Sequence, residues 1–335
     1  PDGYKLSDKV EEEIEGIMQN GLSERLSGVH HLGRARRLED APGRYIEFVK
    51  HTFSRGLSLD GLKIVVDCAH GAAYKVAPQV LHELGAQVIP MAVEPNGVNI
   101  NLNCGATSPE SMQKMVRENG ADLGFALDGD ADRLIVCDET GSILDGDQVM
   151  ALVASTWQAS DKLTGGGVVA TVMSNLGFEK YLEKIGLDLV RTQVGDRYVL
   201  EHMRKHGYNV GGEQSGHIIL SEYTTTGDGL IAALQVLAAL VDSGTDLSEI
   251  GRVFEPFPQT LRNVRVSDET TLDNDLVKRA ILDGESRLGK EGRLLVRLSG
   301  TEPLARVMAE GPNKSDIKTA VDSVVDAIEL ACANK

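Results

Sequence analysis

LGFALDGDADRLIVC, residues 123–137, places three carboxylates at alternate positions between two short apolar runs. The runs Leu123–Leu127 and 134–137 predict strands, so the loop Asp128-Gly129-Asp130-Ala131-Asp132-Arg133 joins two rigid elements. Residues i, i+2 and i+4 of a straight strand share a face but lie roughly 7 Å apart, too far to grip one ion. Gly129 and Ala131 are small enough to let the backbone curl and gather the carboxylates. Three hard oxygen ligands suit Mg²⁺, one ion per chain, because this cation keeps positions for water or a substrate phosphate. A solvated acidic turn is the plainer alternative. A calcium loop is excluded. Glu139 stands at loop position 12, but Arg133 occupies the place where that loop needs glycine, and 134–137 is strand-like.

Outward from this loop, strands alternate with helices. Lys63–Asp67 predicts a strand, 72–84 a helix and 87–90 a second strand. The arrangement recurs about a hundred residues later as 168–172, 176–185 and 188–193. Two such units predict an α/β fold with two related domains and mixed, mostly parallel sheets. Thr226 and Asp228 precede a long apolar helix, 229–241. Beyond the breaker Glu255-Pro256-Phe257-Pro258, strands at 262–266, Arg293–Leu298 and 306–309 and helices at Asp275–Leu288 and 315–333 predict a smaller C-terminal α+β domain with an antiparallel sheet. Residues 1–40 hold one acidic helix, 7–19, with Ser7 in the N-cap position. The segment is too short and polar for a core of its own, and the expectation is the remnant of a truncated first α/β domain. The expected partition is therefore 1–40, 41–138 with the acidic loop, 139–256 and 257–335.

A chain of 335 residues with 41% hydrophobic and 25% charged content is an ordinary globular protein. Its net charge of −16 argues against general nucleic-acid or anionic-membrane binding. The one basic cluster, Arg34-Ala35-Arg36-Arg37, is followed at once by Glu39-Asp40 and reads as a solvated helix face. No apolar run approaches the ~20 residues of a membrane span, and no signal peptide opens the chain. Cys68, Cys104, Cys137 and Cys332 form no CxxC pair and read as free thiols in a reducing cytoplasm.

Three further loops carry candidate chemistry. Arg297-Leu298-Ser299-Gly300-Thr301-Glu302-Pro303 exposes successive amides and two hydroxyls, the makings of an anion nest. Arg297 at its edge and Arg306 just beyond can add charge-assisted bonds to a phosphate; an ordinary Ser-Gly turn is the alternative. Gly211-Gly212-Glu213-Gln214-Ser215-Gly216-His217 sets a carboxylate and a hydroxyl where Glu213 and Ser215 can pair with vicinal sugar hydroxyls. His217 is a candidate proton carrier, against a polar turn with a structural histidine. Thr192-Gln193-Val194-Gly195-Asp196-Arg197 ends a strand where α/β ligands bind, which makes Arg197 a candidate substrate contact. The alternative is that Asp196 caps the next helix and Arg197 pairs on its surface. Asp67-Cys68-Ala69-His70-Gly71 reads as a tight strand-to-helix turn.

The acidic hexapeptide, the 212–217 loop and the 297–303 loop occur in the order and approximate spacing of the α-D-phosphohexomutases, which the chain resembles over essentially all its residues. GRARRLEDAPGRYIEFVK (33–50), DCAHGAAYKVAP (67–78), GGEQSGH (211–217) and RLSGTEPLARVMAEG (297–311) carry the likeness. The resemblance implies four domains, three of related α/β topology and a smaller α+β fourth. It implies an Mg²⁺-dependent isomerisation of a phosphorylated hexosamine, moving the phosphate between the 6- and 1-positions through a bisphosphorylated intermediate. Asp128, Asp130 and Asp132 would hold the metal, and Glu213 and Ser215 the sugar hydroxyls. Arg297, Ser299, Gly300 and Thr301 would hold the non-reacting phosphate, while Arg133 and Arg197 offset charge on the transferred group. A glucose or mannose phosphate substrate, and a non-enzymatic sugar-phosphate-binding protein, remain as alternatives. The assembly expected is a homodimer.

One departure stands out. The family's phosphoryl carrier is a serine in a Thr/Ala-Ser-His-Asn-Pro loop, and no such stretch occurs among these residues. Ser108, in Cys104-Gly105-Ala106-Thr107-Ser108-Pro109, is no substitute. The expectation is a chain without its nucleophile and a metal held weakly or not at all.

Overall fold

The computed structural model describes residues 3–22, 26–299 and 302–333. They form two compact units, one from 1–173 and 190–252, the other from 174–189 and 253–335.

In the first unit, α1 (Asp8–Gln19) and α2 (Ala41–Lys50) precede β1 (Lys63–Asp67), α3 (Val76–Glu83), β2 (Gln87–Met91) and α4 (Glu110–Asn119). Then follow β3 (Leu123–Leu127), β4 (Leu134–Asp138), β5 (Ile143–Leu144) and α5 (Gly146–Ala159). The five strands make one mixed sheet ordered β2-β1-β3-β4-β5. β2 and β3 run parallel to β1; β4 runs antiparallel to β3, and β5 to β4. All five residues of β3 and of β4 are buried, as near-continuous apolar runs require of strands covered on both faces. Met112 and Val116 of α4 pack with Val65, Ala126 and Cys137, and each fully buried large side chain contributes on the order of 1.5–3 kcal/mol. Gly124 makes that approach feasible, since a Cβ there would lie 2.7 Å from Val116 Cγ2.

A second, four-stranded sheet is ordered β7-β6-β8-β9, from β6 (Gly167–Thr171), β7 (Asp188–Thr192), β8 (Val210–Gly212) and β9 (Ile218–Leu220). Its α7 (Asp196–His206) follows the 192–195 loop, and α8 (Gly229–Ser243) follows β9. Every residue of α8 from Gly229 to Leu240 is buried, as expected of a helix that is apolar all round. Asp228 caps it, accepting from the amides of Leu230 and Ile231, each at 3.0 Å. The Tyr45 hydroxyl of α2 donates to the same carboxylate at 2.9 Å. A short α9 (Leu247–Ile250) follows.

The second unit contains α6 (Leu176–Lys184), β10 (Gln259–Arg265), α10 (Asp275–Leu288), β11 (Arg293–Leu298), β12 (Leu304–Glu310) and α11 (Lys314–Ala333). Its antiparallel sheet is ordered β10-β12-β11. Ile317, Val321, Val324 and Ile328 of α11, at helical spacing, pack with Val264, Val277 and Val307. Glu310, fully buried, pairs with Arg293 across the register at 2.6 Å.

Several details differ from the sequence reading. The basic stretch 34–37, read as a solvated helix face, is exposed but lies in irregular backbone before α2. The helix expected over 72–84 divides into a 3₁₀ turn, Ala72–Tyr74, and α3, because Pro78 has no amide to give Tyr74 O and its ring would crowd that carbonyl; the Ala72 amide bonds outward to Gly129 O at 2.8 Å. Ser7 sits at the N-cap of α1 without a side-chain capping bond. β10 begins at Gln259, directly after the breaker, three residues earlier than read. The four cysteines are free, and three of them are buried. No helix among the described residues is long and apolar enough to cross a membrane.

Candidate active site and metal centre

The loop between β3 and β4 does curl. Ala131 adopts a left-handed conformation (φ 63) and its amide bonds back to Asp128 O at 3.1 Å. Carboxylate oxygens of Asp128, Asp130 and Asp132 then lie within 4.8 Å of one another, the one such cluster among the described residues. Asp128 is 8% exposed while Asp130 is open to solvent. Burial pushes the Asp128 carboxyl up, and the charges of Asp132 and Asp130 add to the effect. Three mutually repelling oxygen donors, one of them open to solvent, fit a hard divalent cation that retains water.

The 213–217 loop closes on this cluster. Leu134 donates to Gly216 O at 2.9 Å, and Arg133 and His217 form an antiparallel bridge. Gly216, at φ 95, is obligatory there, because a Cβ would lie 2.2 Å from Leu134 O. His217 Nδ1 donates to Asp132 Oδ2 at 2.9 Å, and its Nε2 faces Asp196 Oδ2 at 3.5 Å. The bond from His217 is the main cause that holds the Asp132 carboxyl below the ordinary range. His217 is 3% exposed, so the ring is fixed between two carboxylates and sets the orientation of Asp132. Gly227 gives the ring its space, since a Cβ there would come within 2.6 Å of Nε2.

Arg133 donates its amide to Asp128 Oδ1 at 3.1 Å, and its Nε lies 3.7 Å from Asp128 Oδ2, too long and misaligned for a hydrogen bond. Glu213 accepts from the Gly195 amide at 3.1 Å and from the Ser215 hydroxyl at 3.3 Å. Arg133, Glu213 and Ser215 line a cavity of about 380 Å³ whose walls include Thr171, Met173 and Val194, within the usual size range of small-ligand sites. A larger groove of about 640 Å³ between α10 and α11 offers only Arg287 as a cation, and that is already paired with Asp316.

Arg197 is half-buried in the first turn of α7. Its Nε pairs with Glu201 one helical turn on, at 3.1 Å, and it does not line the cavity. Asp196, a cap only in the alternative reading, follows the N-cap Gly195; it meets His217 and an ion pair from Lys5. In the C-terminal unit, Arg297 and Arg306 stand directly opposite on β11 and β12. Neither Nε has a hydrogen-bond partner among the described residues. Burial, then the charge of Arg306, pulls the Arg297 guanidinium below its ordinary value. Two like charges facing each other across strands are unfavourable unless an anion joins them. Ser299 adjoins the pair, its amide bonded to Leu304 O at 2.7 Å; Gly300 and Thr301 lie outside the described residues.

The sequence reading passed over Gly227, Thr171 and Met173. Gly227-Asp228-Gly229 was the available signal, a carboxylate between two glycines at a helix start.

Comparison with known proteins gives concordant results. Residues 43–141, 145–257 and 261–327 match, in turn, phosphoglucomutase/phosphomannomutase α/β/α domain II, α/β/α domain III and C-terminal domain. The phosphoglucosamine mutase of Paramagnetospirillum magneticum is 61% identical over 334 residues, spanning 99% of this chain and 74% of that protein. Its counterpart in Parvibaculum lavamentivorans is 60% identical over 98% of this chain and 73% of that protein. Among solved structures, a phosphoglucomutase/phosphomannomutase family protein of Burkholderia thailandensis aligns over 96% of this chain and 70% of its own, with a TM-score of 0.77 at 21% identity. N-acetylphosphoglucosamine mutase of Aspergillus fumigatus, in complex with GlcNAc-6P and magnesium, aligns over 89% of this chain and 67% of its own, with a TM-score of 0.72 at 24% identity. These two likenesses concern the fold.

Proposed function

Because the chain belongs to the phosphoglucomutase/phosphomannomutase family, the α-D-phosphohexomutases, we propose that it derives from an isomerase interconverting glucosamine 6-phosphate and glucosamine 1-phosphate. The observation that carries the reading is the joint between two loops: His217 Nδ1 on Asp132, with Glu213, Ser215 and Arg133 lining one cavity beside the acidic trio. The glucosamine substrate is supported by the relatives at about 60% identity that carry the name.

In this scheme Asp128, Asp130 and Asp132 hold Mg²⁺, which when bound offsets the charge that builds on a transferring phosphoryl group. Glu213 accepts hydrogen bonds from sugar hydroxyls and Ser215 supplies a nearby donor, fixing the ring. Arg133 faces the reacting phosphate. His217, enclosed between Asp132 and Asp196, keeps Asp132 ionised and aimed. Arg197, tied to Glu201, neutralises charge near the site only after that pair opens. Arg297, Arg306, Ser299, Gly300 and Thr301 bind the phosphate that does not react. The phosphoryl carrier is a separate matter. The 335 residues contain no Ser-His-Asn-Pro loop, and the Ser108 hydroxyl is bonded to Glu110 at 3.0 Å. This chain alone is therefore proposed to bind sugar phosphate without turning it over.

Calorimetry with glucosamine 6-phosphate in the presence of Mg²⁺ tests the scheme. Binding is expected, weakened about tenfold by Glu213→Ala, the loss of one charge-assisted contact, and weaker for glucose and mannose 6-phosphates. Equal affinity for the three sugars sinks the glucosamine preference. Turnover of glucosamine 1-phosphate with a bisphosphate activator, by this chain alone, sinks the claim of a missing carrier.

A further inference from the structure

The three carboxylates are held from below by a fourth that touches no ligand position. Asp67, the last residue of β1, is fully buried. One of its oxygens accepts from the Ala69 amide at 2.9 Å, a local turn bond. The other accepts from the Gly105 amide at 2.8 Å, across 38 residues of sequence. Among the described residues no basic side chain pairs with it, so its two printed partners are both backbone amides. It therefore clamps together two loops, 67–72 and 104–106.

Each of those loops carries an amide that grips the backbone of the acidic loop. Ala106, next to the clamped Gly105, donates to Leu127 O at 2.8 Å. Ala72, at the end of the turn that Asp67 opens, donates to Gly129 O at 2.8 Å. The two carbonyls stand immediately before and after Asp128. Both braces are seated with no clearance: a Cβ on Gly105 would lie 2.6 Å from Leu127 O, and one on Gly71 would lie 2.3 Å from Gly129 O. The turn between them is itself strained, since Ala69 and His70 are consecutive non-glycine residues in the left-handed region, at φ 52 and φ 50. A conformation of that kind persists only where its surroundings over-determine it, and the bond from the Ala69 amide to Asp67 is one of its restraints. A plain strand-end turn needs the first bond only. The second, long-range bond couples the turn to the opposite brace.

We propose that Asp67 is a positioning residue for the metal-binding loop, fixing the separation of Asp128, Asp130 and Asp132 through the Ala72–Gly129 and Ala106–Leu127 braces. The proposal rests on the reading of that trio as cation ligands, and its test keeps the two apart. Amide hydrogen exchange is measured at Ala131 and Arg133, whose amides close the acidic loop onto Asp128 O and Oδ1. Mn²⁺ affinity is measured on the same samples. Three variants are compared: Asp67→Asn, which removes one acceptor; Ala72→Pro, which deletes one brace amide at the first residue of a 3₁₀ turn, where proline fits; and Val80→Ala, a buried α3 position outside the braces that controls for general destabilisation. Asp67→Asn and Ala72→Pro are expected to speed exchange at both amides about tenfold and to weaken Mn²⁺ binding by a similar factor, with Val80→Ala within twofold on both readouts. Exchange in Asp67→Asn that matches the unmodified chain overturns the proposal, as does an equal acceleration in Val80→Ala. Should Asp67→Asn fail to fold, unchanged exchange in Ala72→Pro overturns it instead. If the unmodified chain takes no Mn²⁺, the outcome already expected where the phosphoryl carrier is missing, exchange alone decides the role of Asp67.

Discussion

The acidic loop and the facing arginines of the C-terminal unit are electrostatic opposites built to different standards. Both gather like charges, and like charges gathered without a counter-ion destabilise a fold. At the acidic loop the backbone is restrained at every step. Leu127 O, Gly129 O and Ala131 O accept from Ala106, Ala72 and Gly229, and Asp132 is held by His217. The arginines have no such harness. Arg297 and Arg306 meet through strand register alone, and neither Nε has a hydrogen-bond partner among the described residues. The first region is preorganised by its backbone bonds. The second has no such restraint on its side-chain donors, which in the proposed scheme suits a phosphate that binds and leaves without reacting.

If that contrast is real, the acidic loop fails when its backbone is disturbed and the arginine pair does not. The largest effect is expected from Gly216→Ala. It sets a side chain at φ 95 and drives a Cβ to 2.2 Å from Leu134 O. A loss of about 3 kcal/mol or more is expected in the first unit. Trp157, the single tryptophan and buried in α5, reports that transition in urea. A loss below about 1 kcal/mol removes backbone closure as the reason the two loops meet.

This first region was legible because its chemistry is local. Three aspartates at alternate positions between two apolar runs announce both the strands and the clustered carboxylates. Arg133 and His217 were singled out too, but their meeting was not, since 84 residues of sequence separate the two halves of their bridge and only register brings them together. Asp67 was visible as the start of a tight strand-to-helix turn and no more, because the Gly105 amide it also clamps is 38 residues away. Helices with strong apolar faces, such as α8 and α11, fell close to their observed bounds. The 72–84 segment did not, because Pro78 is tolerated only in the first turn of a helix, so the helix restarts at Val76. Arg297 and Arg306 were read from the nest and the resemblance; their face-to-face register needed the sheet.

A middle-sized effect tests how far the harness extends. Tyr45 donates to Asp228, the cap of α8, and the next residue, Gly229, holds Ala131 O. Burial raises the Asp228 carboxyl, while its hydrogen bonds, that of Tyr45 included, oppose the rise. The folded carboxyl thus titrates above its unfolded value, so its own contribution is fully present below the unfolded pKa and is lost as pH rises through the folded one. The Tyr45 bond favours the ionised form and has the opposite sense: it is worth most at neutral pH and fades as pH falls. Tyr45→Phe is expected to lose about 1.5 kcal/mol at pH 7, with the loss shrinking toward pH 4. A loss constant across that range means that the bond does not discriminate between the two forms of Asp228.

The smallest shift expected has the opposite sign, and it separates the two regions most cleanly. Arg306→Met keeps the length and apolar stem of a side chain flanked by β10 and β11 while removing one of two facing charges. With no anion present, relief of cross-strand repulsion should stabilise the C-terminal unit by about 0.5 kcal/mol, read from amide exchange of β11 and β12. Inorganic phosphate should bind about tenfold more weakly, since one charge-assisted donor is gone. The same change therefore improves the fold and impairs the site, an outcome available only where the charges are held together by strand register and not by one another. A loss of stability on removing Arg306 means that the guanidinium is supported in the empty state, and that the C-terminal site is as preorganised as the acidic loop.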